Sequence, residues 1–297
     1  HRVAVERAVA ELGYRPNVLA RAMITGRSRI IGLVVYHFEN QFYPEAVEKL
    51  SVALQENGYH VLLFMATPTV GDVEPVLQEI LDYQVDGIIM VSVSVSSTLS
   101  DRCRALGIPV LLFNRDQPGD GLRAVTSDNY EGGCMAARLL LQGAPRRIAH
   151  LAGFAGASTQ IDRERGFLDT LHRAGMDLYA RAEGNFHYAD AIEAARALFE
   201  MAEPPDALFV SDDHMAMAAM DVIRFEFRLG IPENVAVVGF DDLPQAAWPA
   251  YALSTIRQPI NQMVSAAVSE LIAAIEGAPE VRKIRIAPTT IVRGTTR

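Results

Sequence analysis

The sequence has few cysteines and no long apolar run, and each absence excludes a class of protein. Its 297 residues include only two cysteines, Cys103 and Cys134, which are too few for a disulfide framework and lie in no metal-binding pattern. No segment approaches the roughly 18 uninterrupted apolar residues of a membrane span. No basic segment followed by an apolar core marks an export signal. We therefore expect a cytoplasmic protein that makes no membrane contact.

Basic residues are also fewer than acidic ones: 27 Lys and Arg stand against 36 Asp and Glu, which gives a formal net charge of -9. This charge disfavours a protein whose whole surface coats nucleic acid, so any contact with DNA must be confined to a local basic segment. One such segment lies near the N-terminus and contains Arg15, Arg21, Arg27 and Arg29. Half of the residues are hydrophobic, and the length suffices for two domains with a large buried core.

Signatures of catalysis are missing as well. The sequence contains no nucleophile elbow, phosphate loop, zinc-binding HExxH or CxxC pattern. Its seven histidines are scattered and stand at no metal-ligand spacing. The segment GFAGAS at 153–158 is rich in glycine but lacks the dinucleotide-binding pattern. We expect no enzymatic activity, no cofactor and no bound metal.

The sequence does contain a regular alternation of short apolar runs and amphipathic segments. The runs predict buried strands at 30–35, 60–65, 87–93, 109–114, 124–128, 147–153, 207–212, 235–242 and 253–259. Helices are predicted between most of them, for example at 44–58, 131–143 and 190–202. This alternation is typical of α/β proteins with parallel sheets. Because so many strands exceed one comfortable domain, we predict two doubly wound parallel-sheet subdomains.

Polar side chains follow several predicted strands, where they could bind a ligand or cap the next helix. These are Asn114-Arg115, Asp128, Asp212-Asp213 and Asp241-Asp242. Ligands of open parallel sheets bind beyond the carboxyl ends of the strands. Taken singly, each residue fits a helix cap better, whereas together they predict a cleft between the two sheets.

Several segments, in order along nearly the whole chain, resemble the lactose-repressor (LacI/GalR) family of transcription regulators. They are ELGYRPN and TGRS near the N-terminus, then NQFYPEAVEKL, VDGIIMV, SDNYEGG, RIAHLAG, RERGF, FVSDDHMAMAAM, VAVVGFDD and STIRQP. The resemblance implies a type I periplasmic-binding-protein-like core with a ligand cleft between its subdomains. It assigns 1–28 to the end of the DNA-binding headpiece and the hinge helix, 29–129 with 259–288 to the N-terminal subdomain, and 130–258 with 289–297 to the C-terminal subdomain.

The same resemblance implies an effector site in the cleft. The implied ligands are Phe42, Tyr43, Asn114, Arg115, Asp128, Arg163, Phe186, Asp212, Asp241 and Gln258. Their chemistry suits a sugar, since aromatic faces pack on C–H groups, carboxylates accept from hydroxyls and arginines donate in a fixed fork. Asn114 stands where the ribose binders of this fold carry Asp, and Asp212 where many sugar binders carry Asn. We therefore expect a small neutral sugar or polyol without predicting which one.

The second implied element is the hinge, which would contact DNA through Asn17, Ala20, Arg21, Met23 and Arg27. Met23 would insert into the minor groove, a role that Leu usually has in the family. The helix-turn-helix that reads operator DNA would precede His1, so only the full-length protein, as a homodimer, would bind an operator specifically. A flexible basic linker is the simpler interpretation of this segment.

Two other classes of function are compatible with the core. An exported sugar-binding protein shares the predicted fold, but the basic segment RPNVLARAM at 15–23 has no role in such a receptor. A two-domain α/β enzyme is disfavoured by the missing catalytic signatures. The leading hypothesis is a transcription regulator, most simply a repressor, whose affinity for its operator changes when the effector binds.

Overall fold

The structure is a computed structural model that describes residue 7 and residues 27–36, 38–65, 74–93, 97–117 and 121–297. These residues form two six-stranded sheets. The first sheet contains β1 (Ile30–Val35), β2 (His60–Met65), β3 (Gly87–Val91), β4 (Val110–Phe113), β5 (Arg123–Ser127) and β11 (Lys283–Ile286). The second contains β6 (Ile148–Ala152), β7 (Ala180–Glu183), β8 (Ala207–Val210), β9 (Ala236–Asp241), β10 (Ser254–Arg257) and β12 (Thr289–Ile291).

The two sheets have matching strand orders. The first runs β2-β1-β3-β4-β5-β11 and the second runs β7-β6-β8-β9-β10-β12. Every pairing is parallel except β10 with β12, which is antiparallel. The central strands β3 and β8 are buried along their whole length, as expected for parallel strands covered by helices on both faces. The predicted α/β architecture of two doubly wound units is therefore confirmed.

Eight α-helices occur in the described part of the chain. They are α1 (Phe42–Glu56), α2 (Glu74–Asp82), α3 (Ser97–Ala105), α4 (Asn129–Leu141), α5 (Ser158–Arg173), α6 (Tyr188–Phe199), α7 (Asp213–Asp221) and α8 (Ile260–Ile275). A short π-helix (Val222–Glu226) continues α7, and a 3-10 helix (Pro244–Ala247) follows β9. In these ranges no helix combines the length and the apolar character that a membrane crossing requires.

The chain passes between the two sheets three times. The passages lie between β5 and α4, between β10 and α8, and between β11 and β12. After the first passage α4 packs on the second sheet, and after the second passage α8 packs back on the first sheet. The subdomain bounds proposed from the sequence remain a prediction about which parts of the chain move together.

Candidate ligand-binding cleft

The carboxyl ends of the strands in the two sheets face each other across a cleft. A small cavity of about 10 Å³ lies between them and is lined by Asn40, Tyr43, Asn114, Thr159, Arg163, Phe186, Asp212 and Asp241. Six of these residues were predicted from the resemblance, namely all except Asn40 and Thr159. The cavity therefore brings together loops from both sheets, as ligand sites of open parallel sheets require.

Arg163 is the central cation of the cleft and is held rigidly. Its side chain is 3% exposed, although it belongs to α5. Its Nε donates to Asn129 Oδ1 at 2.9 Å, and its guanidinium carbon lies 3.6 Å from the centroid of the Phe240 ring. Its Nη2 lies 3.7 Å from Asp241 Oδ1. Stacking and hydrogen bonds thus fix the orientation of the guanidinium in advance of any ligand.

Two buried carboxylates face this arginine, and each has a second task. Asp212 Oδ1 accepts from the backbone N–H of Met215 at 2.7 Å, so Asp212 caps α7. Asp241 Oδ1 accepts from Gln258 Nε2 at 2.7 Å. The remaining oxygen of each carboxylate accepts from Asn40 Nδ2 at 3.1 Å. For Asp212 the structure therefore combines the capping interpretation with a place in the cavity.

Burial controls the protonation of these carboxylates. The pKa of Asp241 is raised to about 7. Burial is the largest cause and the charge of the nearby Asp212 acts in the same direction, while the positive charge of Arg163 opposes both. Burial also raises the pKa of Asp212. Near neutral pH Asp241 can therefore act as an acceptor when ionised or as a donor when protonated.

Three predicted residues have buried polar atoms without a hydrogen-bond partner. These atoms are Asn114 Oδ1, Arg115 Nε and Gln258 Oε1. An unsatisfied buried polar group costs about 1–3 kcal/mol. The two acceptors and one donor are complementary to the hydroxyl groups of a small polar molecule.

Several residues at the cleft have positive backbone φ angles, which non-glycine residues rarely adopt. Asn114, Phe186 and Asp241 have φ angles of 69°, 65° and 121°, and Ser92 has a φ of 58°. Non-glycine residues in such conformations cost on the order of 1–3 kcal/mol each and cluster at binding sites. Ser92 Oγ lies 2.9 Å from Tyr43 Oη and so holds the aromatic ring of Tyr43 at the cavity.

Four predicted effector residues, Phe42, Arg115, Asp128 and Gln258, lie outside the cavity lining, and the first and third of these have other structural roles. Phe42 is 3% exposed and packs in the hydrophobic core. Its ring is edge-on to that of Tyr43, with the two ring centroids 5.6 Å apart. Asp128 Oδ1 accepts from the backbone N–H of Glu131 at 3.0 Å and caps α4, which is the alternative that the sequence left open. A contact of either residue with the effector stays a prediction.

Most of the predicted hinge lies outside the described residues, including Asn17, Ala20, Arg21 and Met23. Arg27 is described, and its Nη2 donates to the carbonyl of Ile275 at 3.4 Å, at the end of α8. A phosphate contact of Arg27 therefore remains a prediction.

Sequence reasoning did not identify Asn40 or Thr159. Asn40 Oδ1 accepts from the backbone N–H of Phe42 at 2.8 Å, so it resembles an ordinary capping residue in the sequence. The predicted glycine-rich segment proved to be structural, because a Cβ on Gly153 would lie 2.1 Å from the Phe186 ring. Gly153 thus makes room for one wall of the cavity.

A buried polar network supports the cleft from behind. His150 is fully buried, its Nδ1 lies 3.1 Å from the carbonyl of Phe209, and its Nε2 lies 3.1 Å from Gln160 Nε2. Gln160 Oε1 in turn accepts from Ser211 Oγ at 2.6 Å. The carbonyl of Ser211 accepts from Arg163 Nη1. His150 is therefore part of the rigid support of the central arginine.

This network predicts a loss of stability in acid. Burial lowers the pKa of His150 to about 4, whereas an unfolded histidine titrates near 6.5. Below about pH 6.5 the unfolded chain binds a proton that the folded chain excludes, so stability falls as the pH drops from 6.5 towards 4. We expect His150 to account for about 2 kcal/mol of the stability lost between pH 7 and pH 5.

Urea unfolding of wild type and His150→Gln at both pH values measures this contribution. The variant should lose about 2 kcal/mol less on acidification than wild type, whatever its stability at pH 7. His172→Gln is the matched control, because the His172 side chain is 59% exposed and pairs with Asp177 on the surface. Equal acid losses in wild type and His150→Gln would show that His150 does not titrate in this way.

Comparison with known proteins gives a consistent identification. The family profile described as a periplasmic binding protein domain matches residues 31–279. The chain is 34% identical over 272 residues to the HTH-type transcriptional regulator CelR of Thermobifida fusca, covering 88% of this chain and 79% of CelR. It is 30% identical over 299 residues to the ribose operon repressor of Bacillus subtilis (strain 168), covering 100% and 89% of the two chains.

Solved structures agree with this result. The structure of a transcriptional regulator CelR–cellobiose complex superposes with a TM-score of 0.83 at 29% identity, covering 99% of this chain and 90% of that one. A LacI transcriptional regulator from a Rhodococcus species superposes with a TM-score of 0.80 at 27% identity, covering 90% and 98%. These relatives are regulators by name, and the resemblance inferred from the sequence is confirmed. The chain belongs to the LacI family of transcriptional regulators and carries the periplasmic binding protein domain of that family.

Proposed function

We propose that this regulator binds a small neutral sugar or polyol in the cleft and acts as a repressor controlled by that effector. The observation that carries the proposal is the set of unsatisfied buried atoms at Asn114, Arg115 and Gln258. Asn114 lines the cavity together with the two buried carboxylates and the preoriented arginine, and Gln258 donates to one of those carboxylates, Asp241. Hydroxyl groups, which both donate and accept, are the ligand groups that satisfy such a mixture.

Two aromatic residues of the cavity lining are compatible with a sugar ring. Tyr43 and Phe186 are these residues, and aromatic rings can pack on the C–H groups of a sugar. Because a site built from buried polar groups strongly rejects analogues that lack a matching hydroxyl, the cleft should be selective. A relative of known structure binds cellobiose, which makes cellobiose a reasonable first compound to test.

The effector would act by closing the cleft. Its influence on DNA is limited to its difference in affinity for the open and closed states. We propose that closure moves the N-terminal subdomain of one protomer against that of its partner in a homodimer, and so changes the spacing of the hinge segments on operator DNA. We place this activity in the cytoplasm, with no catalytic turnover of the effector.

The surface of the first sheet supports the proposed homodimer. Leu63 and Met65 on the edge strand β2 are 46% and 45% exposed, and the neighbouring Tyr83 is 48% exposed. Together with Phe64 and Glu79 they line a groove of about 240 Å³. Exposed apolar side chains along the edge strand of a sheet are typical of a surface that another chain covers, and a second copy of this chain is the partner that we propose.

Thermal unfolding against a panel of compounds tests the proposed ligand class. The panel contains cellobiose, ribose, other neutral sugars, polyols, sugar phosphates and nucleosides. A compound that binds only the folded chain stabilises it by about 2.7 kcal/mol at a hundredfold excess over its Kd. We expect a neutral sugar or polyol to raise the unfolding midpoint.

A matched pair of variants links this shift to the cleft. Asn114→Leu removes an unsatisfied acceptor in the cavity and should abolish most of the shift. Asn57→Leu changes an exposed residue at the end of α1 and should retain it. A panel in which only phosphorylated compounds or nucleosides stabilise the chain would contradict the neutral-sugar proposal.

A further inference from the structure

Two adjacent residues in the loop after β1 connect the subdomains across the cleft. Glu39 and Asn40 follow β1 of the first sheet, and every partner described below lies at or after the end of a strand of the second sheet. The two side chains contact three places there: the start of α6 at His187, the start of α7 at Asp212 and His214, and the end of β9 at Asp241. We call Glu39 and Asn40 the latch.

The Glu39 half of the latch makes charged contacts. Its Oε2 lies 3.0 Å from His187 Nδ1, and its Oε1 lies 3.5 Å from His214 Nε2. Its Oε1 also accepts from the backbone N–H of Tyr188 at 3.3 Å, at the start of α6. Two histidines and one carboxylate therefore meet at the rim of the cleft, where the subdomains approach each other.

The Asn40 half makes contacts that do not depend on a histidine. Its single Nδ2 group donates to Asp212 and to Asp241, both at 3.1 Å. An effector hydroxyl that binds these carboxylate oxygens would share them with Asn40 or replace its hydrogen bonds. The contacts of Glu39 with His187 and His214 involve other atoms, so they can persist when the effector is bound.

Several titratable side chains lie on the two helices that carry His187 and His214. Besides Glu39, these include Tyr188 and Asp190 in α6, Asp212 at the start of α7 and Asp221 at its end. The Tyr188 ring lies 5.4 Å from that of His214 and its hydroxyl donates to Asp221 at 3.3 Å. Asp212 interacts electrostatically with His214, and Asp190, in the first turn of α6, accepts from Asn185. These neighbours are neutral or acidic.

We propose that the latch is a proton-sensitive closing device, in which protonation of His187 and His214 strengthens their contacts with Glu39 and stabilises the closed cleft. Histidine is the side chain that ordinarily changes charge between pH 5 and pH 8. Closure is therefore favoured as the pH falls through this range. The consequence for effector affinity rests on the function proposed above, but closure itself does not require the effector.

Closure can be measured without any effector by pulsed EPR. Nitroxides are attached to Glu56→Cys at the end of α1 and Glu200→Cys after α6, both exposed, while Cys103 and Cys134 are buried. The ratio of closed to open molecules should rise about threefold to tenfold between pH 8 and pH 6, as two partly exposed ion pairs form. A compound panel that fails to find an effector leaves this result unaffected.

The variants assign the change to the latch. Glu39→Gln should remove the pH dependence of the ratio, as should the combined substitution His187→Gln and His214→Gln. Glu45→Gln is the matched control, because Glu45 pairs with Lys49 within α1 at 3.6 Å, and it should behave as wild type. The proposal is overturned if the wild-type ratio does not change with pH, or if Glu39→Gln retains the wild-type change.

Discussion

Replacing Arg163 by alanine should abolish effector binding and destabilise the folded chain by about 4 kcal/mol, because removal of one partner of a buried ion pair costs about 3–5 kcal/mol. The substitution leaves Asp241 buried without its cation and Asn129 Oδ1 without its donor. It also removes the stacking on Phe240. We expect effector affinity to fall about 100-fold or more, measured by calorimetric titration, while urea unfolding measures the stability.

Arg165→Ala is the matched control for this prediction. Arg165 belongs to the same helix, but its side chain is 54% exposed and pairs with Asp162 one turn away. Surface ion pairs of this kind contribute about 0–1 kcal/mol, so both affinity and stability should stay close to wild type. If Arg163→Ala bound the effector as tightly as Arg165→Ala, Arg163 would have no place in the site.

Gly133→Ala should destabilise the chain by more than about 3 kcal/mol, because it forces apart two helices whose backbones are in contact. A Cβ on Gly133 in α4 would lie 2.0 Å from the backbone oxygen of Arg163 in α5. The relation is reciprocal, since a Cβ on Gly166 would lie 2.0 Å from the backbone oxygen of Tyr130. Backbone atoms cannot move aside as a flexible side chain can, so α5 and the arginine that it carries must shift.

Urea unfolding of Gly133→Ala and Gly143→Ala measures this effect. Gly143 follows the end of α4, and an added Cβ there would meet the Leu140 oxygen at 3.5 Å, an ordinary contact distance. Gly143→Ala should therefore change the free energy of unfolding by less than about 0.5 kcal/mol. Equal stabilities for the two variants would contradict the close approach of α4 and α5.

The sequence was sufficient to predict the strands at the centre of each sheet. The run at 30–35 coincides with β1, and the run at 87–93 contains β3. Strands buried on both faces must be continuously apolar, so their composition identifies them. β7 and β11 were missed because they lie near sheet edges, where exposed and half-buried side chains alternate, and their sequences ARAE and KIRI are largely polar.

Some helices begin earlier than the sequence predicted, because a polar residue at the end of a strand can cap the next helix. The helix predicted at 131–143 begins two residues earlier, at Asn129, because the side chain of Asp128 caps it. A carboxylate at a strand end can cap a helix, line a cavity or do both. Asp128 and Asp212 have the same local sequence role, but only Asp212 lines the cavity, and nothing local in the sequence distinguishes them.

The latch was beyond the reach of local sequence patterns. Asn40 bonds to residues that are 172 and 201 positions away along the chain. Its short-range signal, a hydrogen bond to the backbone N–H of Phe42, indicates only a turn before a helix. Contacts between the subdomains depend on how the two sheets face each other, which hydrophobic periodicity does not specify.

Calorimetric titration of the purified chain with neutral sugars at pH 7, followed by recovery of the bound compound, tests the central claim most directly. The account predicts that a neutral sugar or polyol binds with one site per chain, that Arg163→Ala loses this binding, and that the compound is recovered chemically unchanged. Binding that survives Arg163→Ala, or conversion of the sugar to a product, would contradict a sensory cleft built around Arg163.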